Sequence, residues 1–298
     1  MPGEDAADFA GRTALVTGAS GGIGLEIARA LAAAGAGLIL PVRDPDRGRA
    51  ALEEIRRSVP AAQVELRELD LARLDSVARL VAELADHRID DLVLNAGVML
   101  LGDRHRHITE DGHELHFQTN FLGHAALLAG LRPALRAARG RVVAQCSIAA
   151  AGARLRWDDL DGARHYGALS AYGASKLALG VFAAEFGRRS AAEGIRVDLC
   201  HPGVAPATAI ARPIRMRLPA PLVGWAAGHL GNPLPVAAGT ALLALRTTAA
   251  APVMAAPSGP VGVWGPAGIR APYRRIMDPE LGERVWGLTA GVLPGFAS

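Results

Sequence analysis

Short apolar runs alternate with longer amphipathic stretches through the first two thirds of the chain. The apolar runs lie at residues 14–17, 37–42, 64–67, 91–94, 141–144 and 196–199. The stretches with helical spacing of apolar residues lie at 23–34, 45–58, 74–86, 114–138 and 169–190. Nearly continuous apolar strands separated by helices are typical of a parallel sheet covered on both faces. The pattern therefore predicts an α/β fold, a doubly wound sheet of about seven strands flanked by helices.

The last third of the chain has a different sequence pattern. Prolines concentrate there, and the regular alternation of apolar and amphipathic stretches ends after His201. The elements predicted in it are a helix at 236–245, a last short strand at 260–264 and a terminal helix at 279–288. No linker or repeat divides the chain. We therefore expect a single domain over residues 1–298, with a regular core at 12–203 and an irregular cap at 204–298.

The composition excludes several classes of protein. Half of the 298 residues are hydrophobic and 20% are charged, which excludes extended disorder. The net charge of +3 comes without a basic stripe interleaved with aromatic residues, so nucleic acid is not an expected partner. The two cysteines, Cys146 and Cys200, lack the spacing of a disulfide framework or a metal site. No uncharged apolar run is long enough for a bilayer span, and the acidic N-terminus lacks a signal segment, so we expect a cytoplasmic protein. The cysteine spacing leads us to expect no bound metal.

A glycine-rich segment joins the first predicted strand to the first predicted helix. It runs Thr17-Gly18-Ala19-Ser20-Gly21-Gly22-Ile23-Gly24. Glycines permit a tight turn and let the backbone approach a pyrophosphate, whose charge is favoured by the N-terminus of a helix. The segment lies early in the chain between a strand and a helix, where a dinucleotide fingerprint must lie. It therefore predicts a dinucleotide-binding turn.

The turn and several further motifs resemble the short-chain dehydrogenase/reductase family. The turn has the family's TGxxxGxG form. The other matching segments, in chain order, are Asp70-Leu71, Asn95-Ala96-Gly97, Asn120-Phe121-Leu122-Gly123-His124, Ser147, Tyr172-Gly173-Ala174-Ser175-Lys176 and Pro202-Gly203. They cover residues 12–203 in the family's order. The resemblance implies a Rossmann-type fold, a nicotinamide cofactor and a substrate lid within residues 204–298.

The pairing of Tyr172 with Lys176 also has a physical basis of its own. The two residues are four apart in a helical stretch, so they share one face of the helix. A tyrosine pKa near 10 is too high for easy proton exchange at neutral pH, and a neighbouring ammonium group lowers it. This arrangement suits a general acid/base. Lys176 is the one lysine among the 32 basic residues of the chain, so it stands where an ammonium group has a specific use.

The resemblance implies roles for four residues. Tyr172 would exchange a proton with the carbonyl or alcohol oxygen of the substrate, and Ser147 would hydrogen-bond that oxygen. Lys176 would lower the pKa of the tyrosine and hold the nicotinamide ribose, while Asn120 would anchor a water that links the lysine to solvent. The implied cofactor contacts are Gly18, Ser20, Gly22, Ile23, Gly24, Asp70, Leu71, Asn95, Ala96, Gly97, Tyr172, Lys176, Pro202 and Gly203.

The end of the second strand bears on the choice between NAD and NADP. It reads Pro41-Val42-Arg43-Asp44. In the family, the acid that selects NAD usually stands at the place of Val42, and NADP-preferring members carry a basic residue at the place of Arg43. A guanidinium group pairs well with a phosphate. We therefore expect NADP(H) to be preferred over NAD(H), with Arg43 at the 2′-phosphate. The alternatives are that Arg43 is a solvated loop residue and that Asp44 reaches the ribose and favours NAD.

The segment before Tyr172 narrows the resemblance. Ser147 and Tyr172 are 25 positions apart, and the segment Arg156-Trp157-Asp158-Asp159-Leu160 resembles the W-D-D-L insert of the retinol-dehydrogenase-like branch. That branch handles hydrophobic carbonyls and alcohols such as retinoids, steroids and long aldehydes. The resemblance thus implies a ketoreductase or alcohol dehydrogenase that acts on a hydrophobic small molecule. The apolar stretch 218–230 suits a substrate lid, although an oligomer contact would have the same composition.

Two other functions stay open. One is a double-bond (enoyl-type) reductase on the same scaffold, and the other is a non-catalytic protein that binds the dinucleotide as a regulatory ligand. The set Ser147, Tyr172, Lys176 and Asn120 favours an enzyme over the regulatory protein. The resemblance also implies a homo-oligomer, assembled through the long helices that flank Asn120 and Tyr172.

Four histidines crowd one region of the sequence: His105, His107, His113 and His116. His113 and His116 are three apart on a possible helix, but no cysteine or carboxylate pattern completes a metal site. We expect a solvated helix start there. A second cluster, Arg212, Arg215 and Arg217, would either grip an acidic substrate or form a solvated face.

Overall fold

The predicted strands assemble into one central sheet. The computed structural model describes residues 8–100, 102–205 and 231–293. The strands found in those ranges are β1 (Thr13–Val16), β2 (Gly37–Val42), β3 (Val64–Glu68), β4 (Asp91–Leu94), β5 (Arg141–Gln145), β6 (Arg196–Cys200), β7 (Met254–Pro257) and β8 (Ala267–Arg270). They lie in the order β3-β2-β1-β4-β5-β6-β7-β8. Neighbouring strands are parallel except β7 and β8. The α/β class and the parallel sheet are thus confirmed.

Helices cover both faces of this sheet. Those in the described residues are α1 (Gly22–Ala33), α2 (Pro45–Ser58), α3 (Leu74–Glu83), α4 (Leu115–Phe117), α5 (Gly123–Gly130), α6 (Arg132–Ala138), α7 (Ala168–Ser190), α8 (Leu234–Arg246) and α9 (Pro279–Val292). The predicted long helix at 114–138 is divided into α4, α5 and α6. A π-helical turn at Gln118–Leu122 joins α4 to α5. Such turns frequently mark functional sites.

The predicted strand at 260–264 is wrong. Residues Pro260–Gly262 form a 3₁₀ turn in which Val261 has a φ of 46°, a left-handed conformation that no strand contains. Instead, β7 precedes this turn and β8 follows it. The sheet therefore has eight strands in the described residues, where about seven were expected. Both strands are only four residues long, and small residues with a proline dilute their apolar pattern. The antiparallel edge was therefore not visible in the sequence.

The strand order reverses direction between β1 and β4. The chain leaves β1 toward β2 and β3 on one side, then crosses over to β4 on the other side. In open sheets of this kind, the helices leave opposite faces at the reversal and a crevice opens at the carboxyl ends of the two strands. The glycine turn follows β1 and Asn95 follows β4, so both stand at this crevice.

Two hydrophobic cores lie on opposite faces of the sheet. The face under α3, α5, α7 and α9 contains the fully buried aromatic side chains Phe121, Phe182 and Phe186. The face under α1, α2 and α8 is built largely from small side chains, such as Ala28 and Ala241. Small side chains let α1 and α8 approach each other closely. A chain with only 4% aromatic residues thereby fills both cores.

Helix α9 packs along α7. Trp286 stacks on Phe182 with ring centroids 5.6 Å apart, and Arg189 lies over the Trp286 ring at 4.4 Å. The oligomer expected through the helices around Asn120 and Tyr172 stays a prediction. A subunit contact there would have to use the part of α7 that α9 leaves open.

Within the ranges that the structure describes, we find no helix that combines the length and the apolar character needed to cross a bilayer. The stretch 218–230 and the arginines at 212, 215 and 217 lie outside the described residues. Their assignments as lid and as basic cluster stay predictions from the sequence.

Candidate active site

The glycine turn leaves an open cradle at the start of α1. A Cβ atom on Gly18 would lie 2.9 Å from the Cα of Ala96, and one on Gly24 would lie 2.4 Å from the carbonyl oxygen of Gly18. Side chains at these two positions would therefore force the turn away from α1 and from the end of β4. Ser20 is half-buried in the turn, whereas Ile23 is buried and packs into the core under α1.

The N-terminus of α1 is free to bind an anion. No side chain caps its first amides, and its first turn contains no acidic residue. Unpaired amides and the helix dipole favour negative charge at such an end. The cradle and this uncapped helix end together fit the pyrophosphate of a dinucleotide.

Two arginines lie near the turn from the side of α2. Arg43 is exposed at the end of β2. The guanidinium of Arg47 comes within 3.5 Å of the place that a Cβ on Gly21 would occupy. The sequence analysis missed Arg47, although its spacing of four from Arg43 was a readable signal.

Asp44 has a different task from the one its spacing allowed. Its carboxylate accepts hydrogen bonds from the backbone amides of Asp46 and Arg47 at 3.0 and 3.2 Å, so it caps the N-terminus of α2. Both bonds are made by Oδ1, and the residue is exposed, so the carboxylate has at least this structural role.

A cavity of about 330 Å³ opens beside Arg43. Its lining consists of Arg43, Glu68, Asp70, Arg73, Ser76 and Arg79. Asp70 lines this cavity. The side chain of Leu71 is buried in the core, and its carbonyl oxygen lies 2.4 Å from the place of a Cβ on Gly123. Their contacts to a cofactor stay predictions.

The ends of β1 and β4 are tied together by Thr17. Its hydroxyl oxygen accepts hydrogen bonds from the backbone amides of Asn95 at 2.9 Å and Ala96 at 3.0 Å. The side chain of Asn95 donates to the Thr17 carbonyl at 2.8 Å and accepts from Gln145 at 2.9 Å. Asn95 and Ala96 therefore shape the floor of the cleft through a buried polar network that spans three strands.

Asn120 lies in the π-helical turn and bonds to the loop after β4. Its side chain accepts from the amide of Val98 at 2.8 Å and donates to the Val98 carbonyl at 3.0 Å. It also donates to the hydroxyl of Ser175 at 3.0 Å, and that hydroxyl donates to the carbonyl of Tyr172 at 2.8 Å. Asn120 is thus bonded to the helix that carries the tyrosine.

Lys176 is almost completely buried, with 3% of its surface exposed. Its ammonium nitrogen donates to the carbonyl of Gln145 at 3.0 Å. A Cβ on Gly97 would lie 3.2 Å from that nitrogen and 3.1 Å from Oδ1 of Asn120, so the two groups border one small space. Burial lowers the pKa of Lys176 to about 8. Desolvation of a charged amine has this effect.

Tyr172 lies on the same helix, and 8% of its surface is exposed. Burial raises the pKa of Tyr172, and hydrogen bonding with Ser147 acts in the opposite direction. Ser147 itself follows β5 and accepts from the amide of Ala149 at 3.2 Å. The phenol therefore holds its proton at neutral pH in this state. The expectation that Lys176 lowers the pKa of Tyr172 is wrong for this state, because burial raises that pKa and the ammonium is bonded to the Gln145 carbonyl.

The segment after β6 closes the far side of the cleft. His201 accepts the amide proton of Gly203 at 3.2 Å and its ring stacks on Tyr273 at 6.2 Å. Burial lowers the pKa of His201 to about 4. Pro202 and Gly203 are held in place by this histidine, which the sequence analysis had not singled out.

The expected solvated helix start is wrong for His116. That side chain is fully buried, its Nδ1 lies 2.6 Å from the Glu114 carboxylate, and its ring meets the Tyr172 ring edge to face at 6.4 Å. His105 and His107 do contact solvent and pair with Asp103. Among the residues that the structure describes, no group of three or more metal-ligating side chains comes together.

Comparison with known proteins places the chain in a family. The family model of the short chain dehydrogenases matches residues 12–218. The chain is 40% identical to retinol dehydrogenase 13 of Homo sapiens over 204 residues, which are 67% of this chain and 60% of that protein. It thus spans about 60% of the length of that curated relative.

Solved structures resemble most of this fold. An uncharacterized protein from Mycobacterium paratuberculosis matches with a TM-score of 0.76 and 32% identity, over 97% of this chain and 95% of that one. A metagenomic short-chain oxidoreductase in complex with NADP matches with a TM-score of 0.59 and 26% identity, over 80% of this chain and 92% of that one. The chain therefore belongs to the short-chain dehydrogenase family of oxidoreductases.

Proposed function

We propose that this protein is an NADP(H)-dependent oxidoreductase that interconverts a carbonyl and an alcohol on a hydrophobic small molecule, with Tyr172 as the general acid/base. The observation that carries the proposal is the convergence of Ser147, Tyr172, Lys176 and Asn120 beside the cradle of the glycine turn. Ser147 interacts with the phenol, and Asn120 and Lys176 border one space next to Gly97. A related fold that holds NADP supports the choice of cofactor.

The residues of the site would divide the work as follows. Bound NADPH supplies the hydride. Tyr172, whose pKa burial raises, carries a proton at neutral pH and donates it to the carbonyl oxygen of the substrate. Ser147 hydrogen-bonds the same oxygen and fixes its position. Lys176 is protonated below about pH 8 and stabilises the phenolate that forms.

The substrate class rests on the surroundings of the site and on its relatives. The loop after Gly97 runs Val98-Met99-Leu100, and each of these side chains is only half-buried. Leu169, one turn before Tyr172 on α7, is 58% exposed. Such apolar side chains suit a hydrophobic substrate. The similarity to retinol dehydrogenase 13 points in the same direction.

Replacement of the phenol tests the reaction. Tyr172→Phe should lower kcat by about 10²- to 10⁴-fold, the usual contribution of a general acid/base. NADPH oxidation over a panel of aldehydes and ketones measures it. Tyr166→Phe is the matched control, because the Tyr166 hydroxyl interacts with Glu114, whereas that of Tyr172 interacts with Ser147. Unchanged turnover of every accepted carbonyl by Tyr172→Phe would refute the proposal.

Replacement of Arg43 tests the cofactor. Arg43→Ala should weaken NADPH binding at least about tenfold and leave NADH binding nearly unchanged, because only NADPH carries the 2′-phosphate. Titration of the cofactor fluorescence measures both dissociation constants. Arg57→Ala, an exposed arginine at the far end of α2, is the control. Equal losses for the two cofactors would contradict the assignment.

Product analysis separates the two other functions. A carbonyl reductase yields an alcohol, whereas a double-bond reductase yields a saturated carbonyl. A protein that binds NADPH but oxidises it with no member of a carbonyl and enone panel would be the regulatory binder instead.

A further inference from the structure

A buried histidine connects the glycine turn to the π-helical turn. His124 lies one helical turn after Asn120 and has no exposed surface. Its Nε2 is 3.0 Å from the hydroxyl oxygen of Thr17, and its Nδ1 is 3.2 Å from the carbonyl oxygen of Asn120. Thr17 and His124 are 107 positions apart in the sequence, so this contact exists only in the folded chain.

The direction of each hydrogen bond follows from what the groups are able to donate. A backbone carbonyl only accepts, so Nδ1 of His124 carries the proton that bonds to Asn120. In a neutral ring, Nε2 is then an acceptor, and the hydroxyl of Thr17 donates to it. The alternative acceptor for that hydroxyl, the Val93 carbonyl at 3.3 Å, is farther away and would leave two lone pairs facing each other.

The protonation state of the ring is fixed by its surroundings. Burial and the positive charge of Lys176 lower the pKa of His124 to about 3. Lys176, on α7, is the charged group that faces the ring, and the titratable thiols of Cys146 and Cys200 lie near that lysine. In a protonated ring, Nε2 would also carry a hydrogen. That hydrogen would point at the Thr17 hydroxyl oxygen, which already accepts two amide protons. The neutral Nδ1–H tautomer is therefore the state that satisfies every partner.

Thr17 and Asn120 each belong to a different part of the proposed active site. The Thr17 hydroxyl accepts the amides of Asn95 and Ala96, which form the floor under the dinucleotide cradle. The Asn120 side chain is bonded to Val98 and Ser175. The backbone carbonyl of Asn120 accepts from the His124 ring, so the histidine is bonded to the same residue whose side chain makes these contacts.

We propose that His124 is a positioning residue, whose neutral ring couples Thr17 of the glycine turn to the carbonyl of Asn120. This coupling holds the dinucleotide cradle in a fixed position relative to the catalytic pocket. The inference rests on the proposed function for its kinetic consequences. The hydrogen-bond chain itself is a property of the protein without cofactor.

Histidine NMR tests the chain directly. In protein labelled with ¹⁵N-histidine, the signal that disappears in His124→Gln should show the Nδ1–H tautomer and should not titrate between about pH 5 and 8. An Nε2–H tautomer, or titration near the ordinary histidine pKa of about 6.5, would overturn the proposal.

Kinetics and cofactor binding test the consequence. His124→Phe fills the space without hydrogen bonds, and we expect it to lower kcat at least about tenfold, to weaken NADPH binding and to displace the pH at which kcat falls. His124→Gln should recover most of the loss, because its amide oxygen and nitrogen are as far apart as the two ring nitrogens. Thr289→Val, which removes a buried hydrogen bond on α9 remote from the site, should lower Tm without moving the pH profile.

A double-mutant cycle separates coupling from general damage. If His124 acts through Thr17, the kcat losses of Thr17→Val and His124→Phe should not multiply in the double variant. Losses that multiply, or a folded His124→Phe with the wild-type pH profile and NADPH affinity, would show a merely structural role. If the wild type turns over no carbonyl, the proposed function fails, while the NMR and NADPH-binding results still decide the role of His124.

Discussion

Two polar regions of this protein have opposite designs. The first, here called the buried site cluster, consists of Thr17, Asn95, Asn120, His124 and Lys176, all of them buried. The second, here called the α7–α9 ion-pair network, joins Glu185, Arg188 and Arg189 of α7 to Glu283 of α9. The buried site cluster contains one formal charge, whereas the ion-pair network contains four.

The comparison shows that burial, rather than the number of charges, decides how much free energy is lost when a polar interaction is removed. Side chains of the ion-pair network such as Arg188 and Glu283 are 61% and 59% exposed, so solvent screens their attraction. In the buried site cluster each side chain is bonded to specific buried partners, and a lost partner leaves a buried polar group unpaired. The pKa of Lys176 is lowered to about 8 there. A lysine in this position changes its charge near pH 8, which an arginine cannot do.

The largest effect should come from Lys176→Met. We expect kcat to fall by about 10²- to 10⁴-fold, because the phenolate of Tyr172 loses its stabilising charge. The fold, in contrast, should gain up to about 3 kcal/mol near pH 7, since the pKa of the buried ammonium is about 8 against about 10.4 in the unfolded chain. Steady-state kinetics and thermal unfolding measure the two effects.

The pH dependence of the free energy of unfolding provides a control for the Lys176→Met prediction. Between about pH 8 and 10.4 the unfolded wild type binds more protons than the folded form, so wild-type stability rises with pH in that window. The methionine variant lacks this rise, and its advantage should vanish toward pH 10. A Lys176→Met variant that is less stable than the wild type at every pH would break the comparison.

A smaller effect should come from the buried histidines at low pH. The pKa of His201 is lowered to about 4, so the stability that its neutral form provides is complete above about pH 6.5 and is lost as the pH falls toward 4. His201→Gln keeps an acceptor for the Gly203 amide but has no proton to gain. We expect its loss of stability between about pH 6.5 and 4 to be up to about 3 kcal/mol smaller than that of the wild type.

Urea unfolding at a series of pH values measures this difference. His105→Gln is the control, because it makes the same substitution at an exposed histidine. Identical acid sensitivity of His201→Gln and the wild type would count against a neutral buried ring.

The smallest effect should come from the ion-pair network. Glu283→Gln removes its exposed carboxylate, and we expect the free energy of unfolding to change by less than about 1 kcal/mol. Because salt screens exposed charges, the change should shrink further at high ionic strength. Urea unfolding at low and high salt measures it. A loss above about 2 kcal/mol would erase the distinction between the two regions.

Much of the fold followed from local pattern, and the exceptions have a common cause. The spacing of apolar residues predicted β1 to β6 and the helices between them, since their apolar runs alternate clearly with amphipathic stretches. The strands β7 and β8 were missed, and the expected strand at 260–264 stood in their place. β1 and β4 are equally short, but β7 and β8 consist largely of small residues with a proline and so lack a recognisable apolar run.

The candidate site divides in the same way. The motifs named Tyr172, Lys176, Ser147 and Asn120 because their spacing is local or fixed by the ends of strands. The position of Arg47 over the glycine turn and the burial of His116 beside Glu114 depend on where helices come to lie, although the spacing of Arg47 from Arg43 was a readable signal. The cap formed by Asp44 is local, since Asp44 directly precedes the proline that begins α2.

By itself the sequence determined the order of strands and helices, the glycine cradle and the identity of the chemical groups, because each depends on residues that are neighbours in the chain or that repeat with a helical or strand period. The tertiary structure decided which of those groups are desolvated and which partner each one meets. That depends on contacts such as the one between Thr17 and His124, where the packing of distant segments excludes water and so sets both the hydrogen bond and the charge.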